Sequence, residues 1–264
     1  MKPKDQQSIF PFEKDLINQL KQLEADLMSE VRRLQTELDQ VDALEENKRS
    51  ALKKQIQVQS AKHKSLFVNF ALQHPNSHLG MDLLYRNRKN ISESQLKAVY
   101  QKLEPTYREG PNGRALNIFL TEQLIKKGAK CIEIEAQTVD HKPFKLSDYL
   151  GKFILLIFWS SNCSAANQLN ELLSKNYAKC PEDLEIISFS MNQHVEQWMA
   201  ASKSGGIIWH NISDLAGPNG RIKTLYNVQA IPTLFFIDRA GIVVDIQKGF
   251  SNDLMDHLAQ WTKK

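Results

Sequence analysis

The apolar positions of this chain follow two rhythms, one before Gly128 and another after it. Leu16, Leu20, Leu23, Leu27, Val31, Leu34, Leu38 and Val41 recur at steps of three and four, which lines them along one face of a helix. No glycine or proline occurs between Pro11 and Pro75. Consecutive four-residue steps at Leu23, Leu27 and Val31 break a strict heptad, so the spacing predicts a short antiparallel pair in place of a long supercoil. The polar run from Asp42 to Arg49 is where the chain turns, and the pattern resumes with Leu52, Ile56, His63, Leu66, Phe67 and Phe70. A single unbroken helix would reach roughly 95 Å at 1.5 Å per residue and would need another chain to cover its apolar face.

Proline cannot continue a helix, so His74-Pro-Asn-Ser77 closes this hairpin. Ser92 and Gln95 form a capping box ahead of Leu96, Val99, Tyr100 and Leu103. Glu104-Pro105 stops that helix, Gly110-Pro-Asn-Gly113 reads as a turn, and Leu116 to Ile125 reads as one more helix. Arg86, Arg88 and Lys89 read as a solvated face, the alternative being an anion site. After Gly128 the period falls from 3.6 to 2. Cys131–Ala136, Phe153–Trp159, Leu184–Ser190, Thr233–Ile237 and Ile242–Gln247 are predicted strands. Residues 164–177 and 195–202 are predicted helices, with Ser251 capping a last one. The expected organisation is an all-α helical domain over 1–127 followed by an α/β domain over 128–264, its mixed sheet covered on both faces.

Composition narrows the function classes. Apolar residues make up 42% and charged residues 24%, globular values that exclude wholesale disorder. The longest apolar run, Phe153–Trp159, is far short of a membrane span, and the first thirty residues lack the apolar core of a signal peptide. Net charge is +5 over residues 1–128 (21 basic against 16 acidic) and −1 over 129–264 (13 against 14), giving the total of +4. Neither half carries the basic stripe with interleaved aromatics that nucleic-acid binding uses. The histidines show no metal-ligand spacing beside a cysteine pair, so no metal is expected. With no Gly-rich nucleotide loop, no cofactor is expected either.

Chemistry concentrates at Phe158-Trp-Ser-Ser-Asn-Cys163-Ser-Ala-Ala-Asn167. This segment leaves a buried strand and enters a helix, placing Cys163 at a helix N-terminus, where free N–H groups and the dipole favour a thiolate. The plainer reading is a small residue filling a gap. Pro232, in Gln229-Ala-Ile-Pro-Thr233, precedes a strand, where a residue without an N–H is tolerated. Cys131, Cys163 and Cys180 are an odd set and cannot form a disulfide framework. A helix over 164–177 would hold Cys180 roughly 20 Å from Cys163, beyond disulfide reach, so Cys180 reads as structural and Cys131 as a small core residue. Ser160, three residues before Cys163, suggests a peroxidatic site, but Leu156 stands where such sites have proline and no arginine is near in sequence. Trp159 and Trp209 read as packing residues or as a substrate stack.

Residues 128–264 resemble the TlpA/ResA-type branch of the thioredoxin superfamily, the thiol-disulfide oxidoreductases of bacterial cell envelopes. The resemblance is carried by Leu146-Ser-Asp-Tyr-Leu-Gly-Lys152, the strand ending Phe158-Trp159, Cys163, and Ile231-Pro-Thr-Leu-Phe-Phe-Ile-Asp-Arg-Ala-Gly241. His74-Pro-Asn-Ser77 and the Ser92 helix resemble the helical half of an uncharacterised domain that precedes such modules in Bacteroidetes. The resemblance implies a thioredoxin-like fold, a cis peptide at Pro232, Cys163 as nucleophile and Ser164 exposing its sulfur. It also implies that Trp159, Ile231 and Pro232 contact a cysteine-containing protein or peptide. The family string is Trp-Cys-x-x-Cys. Here Asn162 replaces the tryptophan and Ala166 the resolving cysteine, while Leu169 and Glu171 replace the Glu and Pro that usually follow. The implied activity is mixed-disulfide formation resolved by an external thiol, and the alternative is a redox-inactive peptide-binding module. The implied setting is the periplasm or cell envelope, with the cytoplasm as the alternative, and a homodimer would form through the apolar helical face.

Overall fold

The computed structural model describes residues 11–43 and 45–263 and divides at Leu120/Thr121 into two compact units. Part of the signal-peptide expectation falls on residues 1–10, outside the described residues. In the first unit, helices α1 (Pro11–Gln40) and α2 (Glu46–Gln73) form the expected hairpin. Glu24 Oε1 lies 3.3 Å from His63 Nε2, while Leu34, Val41 and Leu52 share a small core near the turn. The pair is therefore antiparallel. Leu16, Leu20, Val31 and Leu34 are buried, but Leu23 stays 45% exposed where the four-residue steps carry the stripe off the partner helix.

Helix α3 (His78–Asn87) is capped twice: the Ser77 hydroxyl accepts from Gly80 N at 2.9 Å, and Glu13 Oε1 accepts from His78 N at 2.7 Å. A carboxylate there meets both free N–H groups and the positive end of the dipole. The Ser92–Gln95 capping box opens α4 (Glu93–Gln101) as expected. After α5 (Pro105–Arg108), Gly110–Gly113 is no turn: Pro111 takes the first position of α6 (Pro111–Thr121), where its missing N–H costs nothing. Arg88 corrects a second expectation. It is only 3% exposed, its guanidinium 4.1 Å above the Tyr85 ring and 5.3 Å from that of Phe119.

The second unit is a seven-stranded sheet with strands β1 (Glu135–Thr138), β2 (Pro143–Lys145), β3 (Phe153–Trp159), β4 (Leu184–Ser190), β5 (His210–Ser213), β6 (Thr233–Ile237) and β7 (Val243–Lys248). Its order is β2-β1-β5-β4-β3-β6-β7. β3, β4 and β5 run parallel; β1 pairs antiparallel with β5, and β6 with β3. Helices α7 (Ser164–Asn176), α8 (Val195–Ser204), α9 (Arg221–Leu225) and α10 (Leu254–Trp261) complete it. Every residue of β3 is buried and its side chains alternate between two cores. Phe153, Leu155, Ile157 and Trp159 pack with residues of α7, α8 and α10, whereas Ile154, Leu156 and Phe158 pack with Tyr226 and Val228. Burial on both faces explains the continuous apolar run.

Three local expectations change. Cys131–Ile134 forms no strand; only Lys130 bridges to Ile242 before β1 begins at Glu135. Ser251 does not cap α10, whose cap residue is Asp253; the Ser251 hydroxyl instead bonds the Asp253 carboxylate. β2 and β5 were not foreseen, being three and four residues long and rich in polar side chains. No described helix is long and apolar enough to cross a membrane.

Candidate thiol site

β3 ends at Trp159 and α7 begins at Ser164, so four residues must reverse the chain at the carboxyl end of the parallel strands. Cys163 is the cap residue of α7, with extended backbone (φ −104°, ψ 108°). Its N–H donates to Ser160 O at 3.1 Å and its carbonyl accepts from Asn167 N at 3.0 Å. The loop is gripped from two sides. Asn167 Nδ2 donates to Ser161 O at 3.2 Å. Asn192, 5% exposed, accepts from Ser161 N at 3.0 Å and donates to Ser161 Oγ at 2.5 Å. Ser190 Oγ donates to Asn192 Oδ1 at 3.1 Å, and Met191 N donates to Trp159 O at 2.8 Å. A buried amide with its hydrogen bonds made rigidifies what it holds. Sequence reading missed Asn192, because nothing local distinguishes it from a turn residue.

Opposite this loop, the Ile231–Pro232 peptide is cis. Pro232 is buried, its carbonyl accepts from Gly249 N at 2.7 Å, and Thr233 Oγ1 donates to Ala230 O at 2.6 Å. The Cys163 thiol donates to Ile231 O at 3.4 Å across 68 residues of sequence. The structure thus brings Cys163, Ile231 and Pro232 together, with Cys163 and Ile231 both half-buried. Ser164 is exposed at the first position of α7, and Ala166 is fully buried one turn in.

Trp159 corrects the expectation of a substrate contact. It is fully buried, and its indole N–H donates to Asn211 Oδ1 at 3.3 Å. Trp198 Nε1 shares that acceptor at 3.1 Å, and Asn211 Nδ2 donates to Ser202 Oγ at 2.6 Å. Trp159 is a core residue beneath the loop. The other two cysteines bond elsewhere: Cys131 N donates to Gly241 O at 2.7 Å, and the Cys180 thiol points to Asn176 O at 3.9 Å. Burial pushes the Cys131 thiol above its ordinary range, with the Glu133 charge adding to the effect, and burial alone raises that of Cys180. Both shifts disfavour the thiolate that thiol exchange uses.

A cysteine opening a helix after a central strand, facing a cis-proline that starts an antiparallel strand, defines a thioredoxin-fold domain. Residues 127–246, just under half of the chain, match the AhpC/TSA family, and the C-terminal unit has the thioredoxin-like fold. Among curated proteins, the thioredoxin-like protein YneN of Bacillus subtilis is 27% identical over 128 residues, covering 47% of this chain and 73% of that protein. The thiol-disulfide oxidoreductase ResA of the same organism is 23% identical over 141 residues, covering 53% and 77%. Similar solved structures include the thioredoxin domain of a thiol-disulfide oxidoreductase from Bacteroides vulgatus, at 19% identity and TM-score 0.49, covering 52% of this chain and 99% of that one. Another is a thiol-disulfide oxidoreductase from Bacteroides fragilis, at 19% identity and TM-score 0.46, covering 50% and 99%.

Proposed function

We propose that this protein is a single-thiol member of its family that forms mixed disulfides through Cys163 with a cysteine-containing protein or peptide. The observation that carries the reading is the Cys163 thiol 3.4 Å from the carbonyl preceding cis-Pro232, with alanine at position 166. The Cys163 thiolate attacks one sulfur of a substrate disulfide; the S–S bond breaks and the other sulfur leaves as a thiolate. Family members with a second cysteine release the product internally. Here Ala166 offers no thiolate, so an external thiol attacks the mixed disulfide and frees Cys163. Ser164 keeps the sulfur approachable, and the backbone around Ile231 and Pro232 lies beside a bound chain. The cell envelope is the proposed setting, supported by resemblance to the envelope branch of the family. A homodimer through the helical hairpin is supported by Leu23 and Val58, 45% and 48% exposed there.

The test is incubation of the full chain with oxidised glutathione, followed by mass spectrometry and an insulin-reduction assay in dithiothreitol. One glutathione adduct is expected, on Cys163, reversed by free glutathione and absent in Cys163→Ser. Faster insulin reduction than dithiothreitol alone, lost in Cys163→Ser, marks turnover. An unmodified Cys163 and no insulin reduction would leave the peptide-binding reading, which the absent second thiol favours.

A further inference from the structure

At the start of β5 lies a groove of 660 Å³. Its walls are Val139, Tyr177, Met199, Ile207, Ile208 and Trp209, with Tyr177 and Trp209 stacked at 5.6 Å. The volume falls in the range of small-molecule sites, which are mostly apolar with a few placed polar groups. Large apolar side chains normally withdraw from water, yet Ile208 is 68% exposed and Met199 45%. These are two of only three such exposed residues among the described residues of this unit. Single exposed apolar residues need no explanation, but two on the rim of one concavity mark a surface that something covers.

Charge says what covers it. Asp140 is the carboxylate on the rim, and it is already engaged: Lys142 Nζ lies 2.7 Å from it and Thr138 Oγ1 donates to it at 2.6 Å. Those two hydrogen bonds hold its carboxyl at about 2. His210 faces Glu185 at 3.6 Å and Tyr149 OH at 3.5 Å. Lys203, on the groove wall, makes no ion pair or side-chain hydrogen bond among the described residues. The groove therefore presents an apolar floor with one uncompensated positive charge. We infer that it binds a small amphipathic carboxylate, an acyl or aryl acid whose apolar body covers Ile208 and Met199 while its anionic end meets Lys203. Cys163, Ile231 and Pro232 are not among its lining residues, and the inference does not depend on the thiol chemistry.

The experiment titrates the full chain with 8-anilinonaphthalene-1-sulfonate, an apolar anion, and with the uncharged dye Nile red. Quenching of Trp209 and displacement by decanoate report on the groove. Ile208→Asp is expected to weaken both dyes about ten-fold, the worth of the apolar area lost. Lys203→Gln is expected to weaken the anionic dye about two- to five-fold, as for an exposed ion pair, and to leave Nile red unchanged. Met199→Asp repeats the first arm should Ile208→Asp lower the melting temperature. Dye binding indifferent to Ile208→Asp and to Met199→Asp overturns the site. Equal effects of Lys203→Gln on both dyes, or none on either, overturn the assignment of an anion, as does failure of decanoate to displace the dye.

Discussion

Restoring the second thiol is the sharpest probe of this site. Ala166 lies three residues after Cys163 in the first turn of α7, fully buried against Leu169 and the sheet. Residues three apart at a helix start are within the ~4.4–6.8 Å Cα separation that a disulfide spans, so Ala166→Cys should close a bond with Cys163. Two opposing effects set the magnitude. Adding a sulfur to a filled core costs about 1 kcal/mol. Closing a four-residue loop removes about 1.9 kcal/mol of unfolded-chain entropy at 25 °C. Reduced Ala166→Cys should therefore be about 1 kcal/mol less stable than the parent, and its oxidised form about 2 kcal/mol more stable than its reduced one. Denaturant titration with and without dithiothreitol measures the difference. Thiol trapping counts one free cysteine fewer for each half of the bridge, and insulin reduction should exceed that of the parent. Free thiols at both 163 and 166 after oxidation would show that the alignment of this loop with the dithiol string is wrong.

Three further outcomes follow from the packing. Asn192→Ala releases Ser161 and should cost about 1–2 kcal/mol while slowing glutathione adduct formation at Cys163 several-fold; an unchanged adduct rate with lowered stability would deny Asn192 a positioning role. Asn211→Ala strands two buried indole N–H groups, and should cost about 3 kcal/mol in a denaturant titration; a loss below about 1 kcal/mol would mean water replaces the amide. Asp214 is held above its ordinary carboxyl range by burial, against a hydrogen bond from Ala216 N at 2.9 Å. A carboxyl raised on folding contributes stability that is complete below the unfolded-state pKa, near 3.9, and lost as pH rises through the folded value. Asp214→Asn keeps the acceptor, so its melting temperature should gain on the parent from pH 3 to pH 7; a constant difference would refute the burial argument.

Local chemistry was legible in the residues. The three-and-four spacing from Leu16 to Val41 defines a helix face because 3.6 residues make a turn. Ser92 and Gln95 announce a helix start because their side chains reach its free N–H groups, and Cys163 could be placed at a helix mouth because a buried strand precedes it. Burial was less legible, because it depends on what arrives from elsewhere in the chain. Arg88 looks solvated beside Arg86 and Lys89, until the rings of Tyr85 and Phe119 cover it. Trp159 looks available at a strand end, until Asn211 supplies the acceptor that makes its burial affordable. β5 is invisible because His210-Asn-Ile-Ser213 has the polarity of a loop. Its polar groups are satisfied by neighbours such as Trp159 and Ser190, which the sheet brings from elsewhere in the chain. The sequence by itself determined the two hairpin helices, the central strand and which cysteine stands at a helix start, all of them set by contacts within a few residues. Tertiary structure alone decided that Ile231 would meet that sulfur and Asn192 would hold its loop, because a hydrogen bond spanning 68 residues exists only once the sheet has brought β3 and β6 side by side.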